Sequence, residues 1–155
     1  MLDVASGRGR HARYLAGLGH DVTAIDRDEE ALAALRDAPH IHTVQADLEN
    51  NEPWPFAGRQ FDGIVVTNYL HRPLFPDLVE ALAPGGVLVY ETFAVGNERY
   101  GKPSNPEFLL WPGELLQAFG SLDVKGFEEG PQEQPKPALI QRICAVRAAP
   151  GFGKG

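Results

Sequence analysis

The chain has little of several things, and each shortage excludes a class of protein. With one cysteine, Cys144, it forms no internal disulfide. That thiol lies between Ile143 and Ala145 in an apolar run and is expected in the core. No apolar run approaches the roughly 20 residues needed to span a bilayer. No charged-then-apolar leader precedes Leu2, so a cytoplasmic location is the expectation and no membrane partner is. Basic residues are scarce: 14 Lys and Arg stand against 21 Asp and Glu, a net charge of −7. A broad phosphate-binding surface is thereby disfavoured, and with it nucleic acid as a partner. His11, His20, His40 and His42 share no metal-ligand spacing, so no metal site is expected. The sequence also lacks any internal repeat.

What is present fits one α/β domain. A hydrophobic fraction of 43% and a charged fraction of 23% are ordinary for a globular chain. At 155 residues it can bury roughly two thirds of its unfolded surface. The domain is expected over 1–149, with 150–155 a glycine-rich, disordered tail. Met1-Leu2-Asp3-Val4-Ala5-Ser6-Gly7-Arg8-Gly9 reads as a short strand followed by a small-residue turn. Ala12, Leu15 and Ala16 then show the spacing of a buried helix face. Strand, glycine turn and helix form the first half of a nucleotide-binding unit, although such turns also occur where nothing binds.

Further along, 21–26 and 40–46 read as strands that deliver Asp26 and Asp47 to the edge where Asp3 also lies. Asp26 can accept both hydroxyls of a ribose diol; the alternative, a cap for the next helix, suits Asp28 better. That helix is expected over 28–37 and is ended by Pro39. Residues 49–59 have no periodicity and look like an irregular connection that packs Trp54 and Phe56. Residues 61–67 form a continuous apolar run, the pattern of a central parallel strand. Phe75, Leu78, Val79 and Leu82 repeat at helix spacing, with Pro84-Gly85-Gly86 as the stop before a fifth strand over 87–93. Residues 94–111 make a long polar loop of the kind that is usually functional or disordered. A short helix over 112–119 precedes two strands, 122–127 and 138–146, joined without a helix and therefore antiparallel.

Taken together these segments resemble a class I S-adenosylmethionine-dependent methyltransferase over almost the whole chain. Five features carry the resemblance: Leu2-Asp3-Val4-Ala5-Ser6-Gly7-Arg8-Gly9 as the first motif, Asp26, Ala46-Asp47-Leu48, Phe61-Asp62-Gly63-Ile64-Val65, and Leu82-Ala83-Pro84-Gly85-Gly86. The implied fold is α/β, a Rossmann-like doubly wound seven-stranded sheet, mostly parallel with the last strand antiparallel; the N-terminal helix that most members carry ahead of the first strand is missing from this sequence. The implied cofactor is S-adenosylmethionine. Backbone at Ala5, Gly7 and Gly9 would lie against it, with Ala5 standing where many members have glycine. Asp3 would organise the turn or meet the methionyl ammonium through water. Asp26 would take the ribose hydroxyls, Asp47 and Leu48 the adenine, and Thr67 and Asn68 the methionyl part. Gly7-x-Gly9-x-x-Ala12 also satisfies a dinucleotide fingerprint, but no length remains for a dehydrogenase's second catalytic region.

The sulfonium methyl of that cofactor is already activated, so positioning for in-line transfer is the enzyme's main task. Substrate-side candidates are Glu91, Asn97 and Tyr100. Tyr69 and His71 are weak candidates for a base, His71 because its ordinary pKa suits the role. Residues 68–75 and 91–98 look most like small bacterial methyltransferases of the tellurite-resistance type, and a small-molecule acceptor is expected. The residue before Leu2 is usually Val or Ile, so Met1 reads as an alternative start and the natural protein is expected to begin upstream. The rival reading is a truncated or degenerate fold that binds the cofactor or its demethylated product without turnover.

Overall fold

The computed structural model describes residues 1–149; the tail expected at 150–155 lies outside them. Seven strands form one sheet: β1 (Leu2–Val4), β2 (Val22–Asp26), β3 (Ile41–Gln45), β4 (Phe61–Thr67), β5 (Leu82–Phe93), β6 (Asp123–Gln132) and β7 (Ala138–Val146). Their order is β3-β2-β1-β4-β5-β7-β6, with β1 to β5 parallel and β7 antiparallel to both neighbours. This is the expected doubly wound architecture. The strand order reverses between β1 and β4, which opens a crevice at the carboxyl ends of the parallel strands.

Four short helices cover the sheet: α1 (Arg10–Gly17), α2 (Glu29–Ala33), α3 (Phe75–Glu80) and α4 (Glu114–Ala118). The larger core joins Leu2, Val4, Ile64, Val66, Leu88 and Tyr90 to Leu78 of α3 and Leu115 of α4. Phe75 packs edge to face on Tyr90 and Phe119, whose rings are tilted against each other, and the Tyr90 hydroxyl donates to the Tyr69 carbonyl at 2.7 Å. The smaller core lies on the other face, where Ala12 of α1 and Leu35 meet Val22, Ala24 and Ile41.

Several boundaries differ from the expectation. The helix expected over 28–37 is α only through Ala33, although Asp28 caps it as expected, accepting from the Glu30 and Ala31 amides. Beyond it the bonds tighten to three-residue spacing, with Leu35 N on Leu32 O at 2.8 Å, and this turns Leu35 fully inward. Leu82 belongs to β5 rather than α3: it pairs with Phe61, and Ala83 to Gly86 form an irregularity within the strand. Arg147 holds that irregularity, its backbone bonded to Gly85 and Gly86 and its guanidinium to the Val79, Glu80 and Leu82 carbonyls. The helix expected over 112–119 starts two residues later, at Glu114. β6 runs past Phe127 to Gln132 because β7 is long enough to pair with it throughout. Cys144 is half-buried rather than core, beside Val89 on a face where Val87 and Val89 are 36% and 38% exposed.

Candidate functional site

The turn after β1 is shaped by its backbone. Ala5 and Gly7 both have left-handed φ, 55° and 56°, a conformation that costs alanine about 1 kcal/mol and glycine little. Gly9 opens α1 with φ 83°, and a Cβ there would come within 2.4 Å of Leu35 Cδ2. The start of α1 and the turn after α2 therefore meet closely at Gly9, whereas a Cβ on Gly7 would meet nothing within 4 Å.

Asp26, the last residue of β2, ties this turn to the next. One carboxylate oxygen accepts from the Gly7 amide at 2.8 Å and the other from the Asp28 amide at 2.9 Å. A carboxylate has about four acceptor positions, so two remain for a diol. Beside it a cleft of about 440 Å³ runs along the strand ends, within the size range of small-molecule sites. Ala5, Asp26, Asp47 and Leu48 line one end of it, and Asn68 the middle. Thr92, Phe93, Pro103 and Phe108 line the other. Asn68 sits in a left-handed turn, φ 56°, its amide bonded to the Glu91 carbonyl at 2.9 Å.

Asp3 lies inside β1 rather than at the edge. It is 2% exposed, and its Oδ2 has no hydrogen-bond partner among the described residues. Burial pushes its carboxyl up to about 7, opposed by the Ala12 amide and reinforced by the charge of Asp26. The folded protein thus keeps a proton that the unfolded chain releases near 3.8, so stability falls as pH rises from about 4 to about 7 and stays lower above. Asp3→Asn, neutral and of equal size, should remove that slope and stabilise the cofactor-free protein by about 2 kcal/mol at pH 8. Urea unfolding at pH 5 and pH 8 measures it; an unchanged slope contradicts a buried neutral Asp3.

The remaining candidates are distributed differently. Tyr69 lines the cleft, but burial and the Glu49 carboxylate, 3.1 Å from its hydroxyl, raise its pKa strongly and hold it protonated. His71 opens instead onto a neighbouring recess of about 200 Å³ with Trp54 and Asp77. None of the three substrate-side candidates lines the cleft. Glu91 pairs with Arg142, which also takes Glu128. Asn97 is 1% exposed and structural, its Nδ2 donating to the Pro103 carbonyl and its Oδ1 accepting from the Leu139 amide, both at 3.0 Å. Tyr100 is exposed on the surface. Thr67 ends β4 opposite Glu91.

Sequence reasoning missed the clasp of Arg72. Its guanidinium grips Glu114 through Nε at 2.7 Å and Nη2 at 3.0 Å, donates to the Glu107 and Leu109 carbonyls, and lies 4.7 Å over the Trp111 ring. Glu114, 5% exposed, also accepts from the Trp111 amide at 2.9 Å. These partners are 35 to 42 residues from Arg72, so no local pattern announces them.

A switch-point crevice, a left-handed small-residue turn and a strand-end acid define a nucleotide-cofactor-binding protein of the Rossmann-like class. A family model described as "Methyltransferase domain" matches residues 1–86, more than half of the chain. Malonyl-[acyl-carrier protein] O-methyltransferase of Enterobacter lignolyticus is 37% identical over 132 residues, 81% of this chain and 45% of that protein. The chain thus spans about half the length of the curated relative it matches. The fold is shared with TehB from Haemophilus influenzae, TM-score 0.77 and 19% identity over 94% of this chain and 57% of that one. A TehB-like SAM-dependent methyltransferase from Corynebacterium glutamicum has TM-score 0.67 and 23% identity, over 94% of this chain and 78% of that one. The chain belongs to the methyltransferase-domain family, in its class I, S-adenosylmethionine-dependent branch.

Proposed function

We propose that residues 1–149 form one S-adenosylmethionine-dependent methyltransferase domain that transfers a methyl group in line to a small-molecule acceptor. The observation that carries this reading is Asp26, which fixes the glycine turn and keeps acceptor capacity for a diol at one end of the cleft. The residues lining the cleft fit the cofactor: small left-handed backbone at Ala5, acceptor capacity on Asp26, and Asp47 and Leu48 beyond it. Asp26 would hold the ribose, Asp47 and Leu48 the adenine, and Asn68 would border the methionyl part. Bound there, the cofactor supplies an electrophilic methyl group.

The chain's own contribution is to bind, orient and exclude water. Positioning of this kind supplies roughly 7 to 11 kcal/mol of a barrier. Tyr69 is held protonated and His71 faces the neighbouring recess, so neither is placed to take a proton in the cleft. The reading therefore favours acceptors that are nucleophilic without a protein base. No helix among the described residues is long and apolar enough to cross a membrane, and a cytoplasmic location belongs to the same proposal. Turnover of S-adenosylmethionine to S-adenosylhomocysteine, followed over a panel of small thiols, phenols, amines and tellurite, tests the activity. Acceptor-dependent product is expected; none with any acceptor, from a sample that binds the cofactor, supports the rival of binding without turnover.

A further inference from the structure

We infer that the methyl acceptor carries no negative charge and lays a flat apolar portion against Phe93, Pro103 and Phe108; the inference rests on the methyltransferase reading above. Two observations carry it. The first is charge. The ionisable side chains bordering the cleft include the carboxyls of Asp26, Asp47 and Glu49 and one guanidinium, Arg27, which adjoins Asp26 at the far end. Arg72 is engaged by Glu114 and two carbonyls, and Arg142 by Glu91 and Glu128. An anionic acceptor would lose its hydration beside Phe93 and Phe108, an end of the cleft with no cation among its lining residues, and an unpaired desolvated charge is costly.

The second observation is the rigidity of Phe108. A phenyl ring 46% exposed is an exception to the burial of large apolar groups, yet its backbone is closely held. Asn105 caps the turn beneath it, its Oδ1 accepting from the Glu107 amide and its carbonyl from the Phe108 amide at 2.9 Å. Glu107 and Leu109, the residues on either side of Phe108, both give their carbonyls to Arg72, at 3.2 and 2.9 Å. Asn97 fixes the Pro103 carbonyl in the same loop. An apolar surface held in place before binding loses little freedom when a ligand stacks on it. Phe108 is accordingly a specificity-determining residue and Arg72 the positioning residue that aims it.

The test uses two probes that share one flat ring system and differ in charge, 2-naphthol and 2-naphthoate, titrated into the protein saturated with S-adenosylhomocysteine. The neutral probe should bind at least about 10-fold more tightly than the anion. Phe108→Ala should weaken 2-naphthol by about 10-fold, Phe108→Tyr should restore it, and neither should alter S-adenosylhomocysteine affinity. Equal or tighter binding of 2-naphthoate, no binding of 2-naphthol, or indifference to Phe108→Ala overturns the inference. If S-adenosylhomocysteine itself fails to bind a folded sample, it is the methyltransferase reading that fails, and this inference falls with it.

Discussion

Asp26→Ala should weaken S-adenosylhomocysteine binding by about 100-fold or more, since hydrogen bonds to a charged acceptor contribute about 1.5 to 3 kcal/mol each and a diol makes two. The substitution also removes the acceptor for the Gly7 and Asp28 amides, which hold the first turn and the start of α2. A modest loss of stability, about 1 to 2 kcal/mol, is therefore expected alongside. Asp26→Asn separates the two effects. It keeps an oxygen for one of the two backbone amides and surrenders the charge, so it should lose less stability than Asp26→Ala while still binding about 10-fold more weakly. Calorimetric titration with thermal unfolding of the same samples reads both. Unchanged affinity in Asp26→Ala would remove Asp26 from the site.

Arg72→Ala should cost about 3 to 5 kcal/mol of stability, the largest single loss expected away from the apolar core. Glu114 would be left 5% exposed without its bidentate partner, and the Glu107 and Leu109 carbonyls and the Trp111 ring would lose their shared cation. Arg72→Lys retains the charge but not the planar fork, so it should recover only part of the loss. Replacing both residues by a Met and Leu pair should be milder than Arg72→Ala, because no buried charge is then orphaned. Urea unfolding midpoints check the series. A loss below about 1 kcal/mol in Arg72→Ala would show that the pair behaves as a solvent-screened surface contact.

Local patterns in the chain made the sheet largely legible. The unbroken apolar run of β4, the periodicity of α1 and the helix-free join of β6 and β7 each announce an element without help from distant residues. Boundaries were lost where distant partners decide them. Pro84-Gly85-Gly86 reads as a full stop, yet the Arg147 backbone and β4 keep it within β5. Glu128 and Glu129 fall beyond the strand expected to end at 127, but Arg142 takes Glu128, while Gln141 and the Gly113 amide take Glu129, so β6 continues through them.

At the site, the left-handed turn at Ala5 and the strand-end position of Asp26 follow from small residues and a terminal acid. The acceptor side does not. Asn97, Tyr100 and Glu91 were attractive for their chemistry, and the fold uses Asn97 as a strut and Glu91 as one member of an ion-pair chain. Phe108 is held at the cleft by Arg72, through the carbonyls on both sides of it, and by the Asn105 cap. Sequence spacing carries no trace of such a contact.

The cleft beside Asp26 is proposed to take the nucleoside of S-adenosylmethionine. Calorimetric titration of the unmodified protein with S-adenosylhomocysteine tests it most directly. One site per chain with micromolar affinity is the predicted result, and no heat of binding from a sample that unfolds cooperatively would contradict it.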